Sequence, residues 1–186
     1  MNKHLKKIIL DMIPVILGVL IALFIDGWKT SLMNKRYVDK VMGAIQLEME
    51  GNIQDIEKVI TLQKALVDTI TEYIEVDTLS LTDLIIKADG LKVATVQGSS
   101  WRAFLNSKIE LIDYQSIIQL SSINENKEIL RLKVDKMLEF LSENFESTEK
   151  KHKKMLILQI SNVGDSENAL LQQQKAFLGI EEEEDF

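Results

Sequence analysis

The sequence predicts an all-α protein in which an N-terminal transmembrane helix continues into a long antiparallel helical hairpin or bundle with a short connector subdomain. About 46% of the residues are hydrophobic and 27% are charged, whereas only 6% are aromatic, and the chain holds one proline and eight glycines. Many aliphatic and charged residues with few helix breakers favour helices over a β-sandwich or barrel. Apolar residues also recur at alternating steps of three and four along two long stretches, which is the spacing of amphipathic helices.

The stretch 8–25 has the length and composition of a membrane span. Its 18 residues include one charge, Asp11, and as a helix they would cover roughly 27 Å, close to the thickness of the hydrocarbon core. Lys6 and Lys7 precede the stretch, and Trp28 follows it where an aromatic interface residue belongs. We therefore predict a transmembrane anchor with Lys6, Lys7 and Trp28 at the membrane interfaces.

Two other interpretations of this stretch are less favoured. A signal peptide would end in small residues at a cleavage site, whereas this run ends in Phe24-Ile-Asp-Gly-Trp28. A buried core helix would be amphipathic or shorter, whereas this one is apolar all round for 14 residues from Met12. The orientation stays open, because Lys3, Lys6, Lys7 and the α-amino group on one side balance Lys29, Lys35, Arg36 and Lys40 on the other.

One face of the anchor differs from the rest. At about 100° per residue, Asp11, Gly18, Ala22 and Lys29 fall within a few tens of degrees of one another, with Pro14 and Asp26 at the margins. A Gly-xxx-Ala pair lets helix backbones approach closely in lipid. An acid inside the apolar segment either extends to the interface beside Lys7 or faces protein or water. We predict an interface or pore face formed by Asp11, Gly18, Ala22, Asp26 and Lys29.

A helical soluble domain is predicted over residues 29–160, with long helices at about 29–75 and 114–160 and a connector at 76–113. The two helices should pack antiparallel, because neither can bury its apolar stripe alone. Asn52 and Gln63 interrupt the first stripe. They either fix register or partner number, or face solvent.

The connector carries several helix signals. Ser80 lies among capping residues before a short helix at 81–87, and Asp113 is a plausible N-cap for the second long helix. Residues 91–97 alternate weakly and are expected to be extended, and a second short helix is expected at 101–106. We expect three apolar side chains of this region to contact the long helices: Trp101, Phe104 and Leu105.

The remaining residues, 161–186, are predicted to form a short helix and an acidic tail. Asn162 to Asp165 should break the second long helix, a last helix should cover 169–178, and Glu181 to Asp185 form a solvated end. The basic run Lys150–Lys154 is expected on a solvated helix surface, unless it lies near the membrane and meets anionic headgroups.

Several function classes find no support in the sequence. The net charge of −7 argues against nucleic acid as a partner, and there is no cysteine. The two histidines, His4 and His152, are far apart and each lies beside lysine, which disfavours a metal site. Phosphate-binding, zinc-protease and nucleophile-elbow motifs are missing. We therefore expect no enzymatic activity, no cofactor and no metal.

Two motifs resemble those of an uncharacterised family of small single-pass membrane proteins common among bacteroidete-type bacteria. In the anchor, Asp11, Gly18, Ile21-Ala22-Leu23 and Trp28 match the family's pattern of an acid, an apolar run with a glycine, Ile-Ala-Leu and a tryptophan. Pro14 departs from that pattern, and Asp26 and Gly27 replace its usual asparagines. Residues 100–113 look like the family's second motif. The resemblance implies an all-helical fold and a bacterial inner-membrane address, and no activity.

Three hypotheses of function follow. The first is a homo-oligomeric membrane effector or ion channel, in which several anchors line a pore and the helical domains gate it, an architecture that also occurs in bacterial antiviral defence. The second is an accessory or scaffold subunit of a larger membrane complex. The third, an ion-driven stator-like subunit, would need a multi-span partner. The self-associating effector is favoured, because the small-residue face and the apolar stripes suit contact between copies.

Overall fold

The computed structural model describes the backbone of residues 3–180 and the side chains of residues 12–180. Within that range every regular element is helical: α1 (Lys3–Glu72), α2 (Leu81–Lys87), α3 (Ser99–Leu105), a 3-10 turn at Ile109–Leu111, α4 (Tyr114–Asn144) and α5 (Lys150–Leu178). The predicted all-α class is confirmed. The chain divides into two compact units, Met1–Gly43 and Ala44–Phe186. The acidic tail at 181–185 lies outside the described residues.

The first unit contains only the N-terminal part of α1. The helix runs through Pro14, although proline removes one backbone N–H from the hydrogen-bond ladder. Prolines are tolerated in this way in membrane helices. The predicted anchor and the predicted first long helix are one uninterrupted element, and no proline follows Pro14 within it.

The second unit is built from the remainder of α1 together with α4 and α5. Its core is aliphatic, with Ile56, Ile70, Met137, Leu156 and Leu170 fully buried. Asn126 on α4 binds Gln173 on α5 at 2.8 Å, and Lys133 binds Ser166 at 2.5 Å. Because the numbers rise on one helix as they fall on the other, α4 and α5 form an antiparallel hairpin.

The antiparallel partner of α1 is α5, not the helix that begins at Tyr114. Glu57 pairs with Lys175 at 2.7 Å, whereas the later Glu75 pairs with Lys150. Because α5 is antiparallel to both α1 and α4, helices α1 and α4 run parallel to each other. The reason is the connector, whose segment 91–97 runs back along α1 and returns the chain to the end at which α1 entered the unit.

The prediction of one helix over 114–160 is wrong, because a turn at residues 145–149 separates α4 from α5. The carbonyls of this turn bind α2: Phe145 accepts from the N–H of Thr82 at 3.1 Å, and Ser147 accepts from the N–H of Leu81 at 3.0 Å. These bonds satisfy donors that the first turn of α2 would otherwise leave unpaired. The connector thus stabilises a break that local propensity does not dictate.

The predicted break at Asn162–Asp165 is also wrong, since α5 continues through it. Val163 is fully buried there, and a Cβ placed on Gly164 would lie 3.3 Å from Oε1 of Gln63. Gly164 therefore allows α1 and α5 to approach each other closely, and it does not end the helix. The predicted domain boundary at residue 160 falls inside α5.

The predicted helix at 81–87 is confirmed, whereas the second short helix of the connector covers Ser99–Leu105 and not 101–106. Ser80 caps α2 through a capping box with Asp83, and Asp113 caps α4 by accepting from the N–H of Ser116 at 2.9 Å. Of the three expected apolar contacts, Trp101 and Phe104 are buried, whereas Leu105 is 40% exposed. Leu105 is the last residue of α3, so no further helical turn follows to cover its side chain.

Candidate functional site

The apolar segment of α1 is exposed along its whole described length. Large side chains that would normally be buried are uncovered, among them Val15, Leu23, Phe24 and Trp28. An exposed apolar surface of this extent is not typical of a soluble monomer and indicates contact with lipid or protein.

Among the described residues, one helix is long and apolar enough to cross a membrane, and none of its apolar window is buried. This lack of burial is not what a core helix of a soluble unit would show. The helix also continues without a break beyond Trp28. A membrane anchor is compatible with both observations.

The predicted interface residues lie on this helix. Gly18, Ala22, Asp26 and Lys29 are all exposed, and their helical spacing places them within about 80° of one another. Nothing lies within 4 Å of a Cβ placed on Gly18. Trp28 is exposed at the end of the apolar run. The side chains of Asp11, Lys6 and Lys7 lie outside the described residues, so the predicted interface or pore face stays a prediction.

Asn52 and Gln63 have a structural role that the sequence did not reveal. Both are buried, and each binds the backbone of the extended segment 91–97. Asn52 donates to the carbonyl of Gln97 at 3.0 Å and accepts from its N–H at 2.7 Å, while Gln63 donates to the carbonyl of Lys92 at 3.0 Å. They neither fix a coiled-coil register nor face solvent.

Two carboxylates also form hydrogen bonds with the backbone of segment 91–97. Asp55 accepts from the N–H of Thr95 at 2.7 Å, and Glu167 on α5 accepts from the N–H of Ala94 at 2.8 Å. The segment therefore uses side chains of α1 and α5 where a strand would use a neighbouring strand. No β-pairing occurs within residues 3–180, and no local pattern in the sequence marks these pairings.

Glu167 is a fully buried carboxyl, and one of its oxygens, Oε2, has no hydrogen-bond partner within the described part of the chain. Burial raises its pKa above the ordinary value of 4.5, and the negative charge of Asp55 adds to the rise, while the Ala94 N–H and the Gln63 side chain act in the opposite direction. The neutral carboxylic acid is thus more favoured in the folded protein than in water.

The basic run at 150–154 contains one lysine that is not solvated. Lys153 is fully buried, and its ammonium group donates to the carbonyls of Tyr73, at 3.2 Å, and of Val76. These carbonyls lie just beyond the end of α1, where unpaired acceptors attract cations. Lys150 pairs with Glu75 and holds the pKa of that carboxyl below its usual range. The expected solvated surface is therefore wrong for Lys153.

A basic cleft lies where the connector meets α4. It has a volume of about 280 Å³, and its charged lining residues are Arg102 on α3 and Lys127, Glu128 and Arg131 on α4. Glu128 lies 3.3 Å from Nε of Arg131 and 3.9 Å from Nζ of Lys127. Sequence reasoning missed this cleft, because its cations are spaced along two separate helices.

Histidine, cysteine and acidic side chains form no group of three or more that could hold a metal ion within the part of the chain that the structure describes. Comparison of the chain with protein-family models, with curated proteins and with solved structures found no match.

Proposed function

We propose that this protein is a single-pass membrane protein whose copies associate through the anchor, and that the assembly acts as an ion channel or membrane effector gated by the helical unit. The observation that carries the proposal is the exposed apolar segment of α1, none of which is buried. A lone span cannot conduct ions, so conduction requires several copies. We also propose the bacterial inner membrane as its location and no enzymatic activity.

The interface or pore face supports self-association. Gly18 and Ala22 leave the backbone accessible on one side of the helix, with open space around Gly18, and such pairs allow close helix contact in lipid. Asp26 and Lys29 continue the same face toward the membrane surface. In an assembly of anchors, oppositely charged groups of neighbouring copies can pair there.

A matched pair of glycine variants tests self-association. Gly18→Leu places a bulky side chain on the interface, whereas Gly27→Leu places it about 180° away, on the opposite face. Both glycines are helical with nothing within 4 Å of the added Cβ. The molecular mass of the detergent-purified protein should fall to that of a monomer for Gly18→Leu and stay oligomeric for Gly27→Leu. A wild-type protein that is monomeric in several mild detergents would overturn the proposal.

Conduction is tested separately by ion flux into liposomes that contain the purified protein. The Asp26→Asn variant should change the rate or the ion preference, because an acid at a pore mouth attracts cations. Asp11→Asn tests the second acid in the same way. Oligomers without flux would exclude the channel and leave a non-conducting effector.

A second candidate is an accessory or scaffold subunit. It is favoured by two exposed apolar pairs on α4, opposite the core face: Tyr114 with Ile118, and Ile129 with Leu132. Exposed apolar pairs of this kind suit contact with another protein. A second protein that co-purifies in fixed stoichiometry, and is lost in an Ile129→Ser, Leu132→Ser variant, would favour this function over the channel.

A further inference from the structure

We propose that the basic cleft between the connector and α4 is a binding site for a small phosphorylated organic molecule. The cleft belongs entirely to the unit 44–186, so the inference does not depend on the anchor or on the proposed channel. Four features support it: charge, burial, the apolar wall and the position of the neighbouring helix α3.

The net charge of the cleft lining is opposite in sign to that of the whole chain. The chain carries a net charge of −7, yet the cleft gathers Arg102, Lys127 and Arg131 around the single carboxylate of Glu128. One carboxylate cannot balance three cations, so the lining keeps an excess of about two positive charges at neutral pH. A phosphate monoester carries a matching charge and presents several acceptor oxygens to Arg and Lys donors.

Of the three cations, Lys127 is the one whose side chain is largely covered, whereas the side chain of Arg131 is 70% exposed. The side chain of Lys127 is only 13% exposed, and its ammonium group lies 2.7 Å from the position of a Cβ on Gly98. Burying an ammonium group is costly unless an anion or hydrogen-bond acceptors compensate. The nearest carboxylate on α4 is at 3.9 Å, which is longer than a direct hydrogen bond. A bound anion would give this ammonium group a closer partner than Glu128.

Glu48, the nearby acid on α1, lines a neighbouring pocket with Lys127 but does not line the cleft. It accepts from the N–H of Ser100 at 3.1 Å and from the hydroxyl of Ser99. It therefore holds the start of α3, the helix that carries Arg102. This arrangement positions one cation of the cleft, Arg102.

The rest of the lining is apolar, with Val93 and Val96 from the extended segment and Leu130 and Val134 from α4. A cleft of about 280 Å³ is at the small end of ligand pockets. An apolar wall beside a cationic group fits an organic phosphate whose remaining part is a ring or short chain. Because Val93 and Val96 belong to the segment held by Asn52, Gln63 and Glu167, the ligand would also contact the least regular part of the fold.

The test uses the full-length protein in detergent, with adenosine monophosphate and inorganic phosphate as probes. Isothermal titration calorimetry measures affinity directly. In a Trp28→Phe variant, the fluorescence of Trp101 gives a second readout, because Trp101 precedes Arg102 on α3 and is the other tryptophan of the chain. We expect saturable binding of adenosine monophosphate, with inorganic phosphate binding more weakly because it does not reach the apolar wall.

Substitutions with opposite expected effects on affinity make the test specific. Arg131→Gln and Arg102→Gln should each weaken binding by about tenfold, the usual effect of losing one charge-assisted hydrogen bond. Glu128→Gln should strengthen binding, because it removes the one negative charge of the lining. Lys136→Gln is the matched control, since Lys136 is exposed on the same helix and outside the cleft.

Three results would overturn the proposal. The first is no saturable binding of either probe. The second is an equal loss of affinity in Lys136→Gln and Arg131→Gln, which would mean nonspecific attraction. The third is equal affinity for inorganic phosphate and adenosine monophosphate, which would exclude a role for the apolar wall.

Discussion

The side-chain amide of Asn52 forms two hydrogen bonds with the backbone of Gln97, donating to its carbonyl at 3.0 Å and accepting from its N–H at 2.7 Å. This is the pattern by which a strand would pair with its neighbour, supplied here by one helical side chain. It explains how an extended segment is tolerated inside a helical unit, since buried backbone groups need partners.

Asn52→Ala should destabilise the helical unit by about 2 to 3 kcal/mol, because it leaves two backbone groups of Gln97 without partners in a part-buried place. Denaturant unfolding of the full-length protein in detergent measures the change. Gln54→Ala is the control, since Gln54 is exposed on the same helix. Equal stability of the two variants would mean that the segment is not held by Asn52.

Glu167 should make the stability of the protein depend on pH. Its folded pKa is raised above 4.5 by burial, so the folded state binds the proton more tightly than the unfolded state does. The stabilisation from this proton is fully present below about pH 4.5 and is lost as the pH rises through the folded pKa.

Glu167→Gln, which cannot ionise, should therefore gain stability relative to the wild type as the pH is raised from 4 to 8. Unfolding curves at several pH values measure this difference. Glu139→Gln, at an exposed position of α4, controls for the loss of one charge. A difference between Glu167→Gln and wild type that stays constant with pH would contradict the assignment.

Lys153→Met should destabilise the unit by about 1 to 3 kcal/mol, since it removes the donor to the carbonyls of Tyr73 and Val76. Methionine keeps most of the buried volume, so the loss reports the ammonium group. Lys154→Met is the adjacent control, because Lys154 is exposed. Thermal melting followed by circular dichroism distinguishes the two variants, and similar melting would show that the buried ammonium group contributes nothing.

Two Gly→Ala variants should differ in their free energy of unfolding, although both glycines lie inside helices. Gly51→Ala should stabilise by about 1 kcal/mol through helix propensity, because nothing lies within 4 Å of the added Cβ. Gly164→Ala should gain less, since its Cβ lies 3.3 Å from Oε1 of Gln63, which holds the carbonyl of Lys92. Denaturant midpoints compare the pair, and an equal gain would mean that Gln63 shifts without cost.

Local signals predicted those features of the fold that depend on neighbouring residues. Ser80 and Asp113 cap their helices as expected, because a capping bond reaches only three residues along the chain. The all-α class and the connector helices followed from spacing and composition. The placement of Gly18 and Ala22 on one face of α1 follows from the same spacing.

Features that depend on contacts between distant residues were not predictable. The bond between Asn52 and Gln97 spans 45 residues, and that between Glu167 and Ala94 spans 73. The turn at 145–149 is supported by α2, and the cleft joins Arg102 to α4. In each case the sequence contains the residues that interact, but it gives no indication of the distant residues that they contact.

The extended segment 91–97 also constrains the order in which the unit assembles. Its partners lie on α1 and α5, so it can acquire all of its hydrogen bonds only once both helices stand beside each other. Pairings over such separations form late, because the intervening chain must first be ordered. Contacts that form after the folding transition state chiefly set how fast a protein unfolds. The side chains that hold this segment are therefore expected to act on the lifetime of the folded unit more than on its speed of formation.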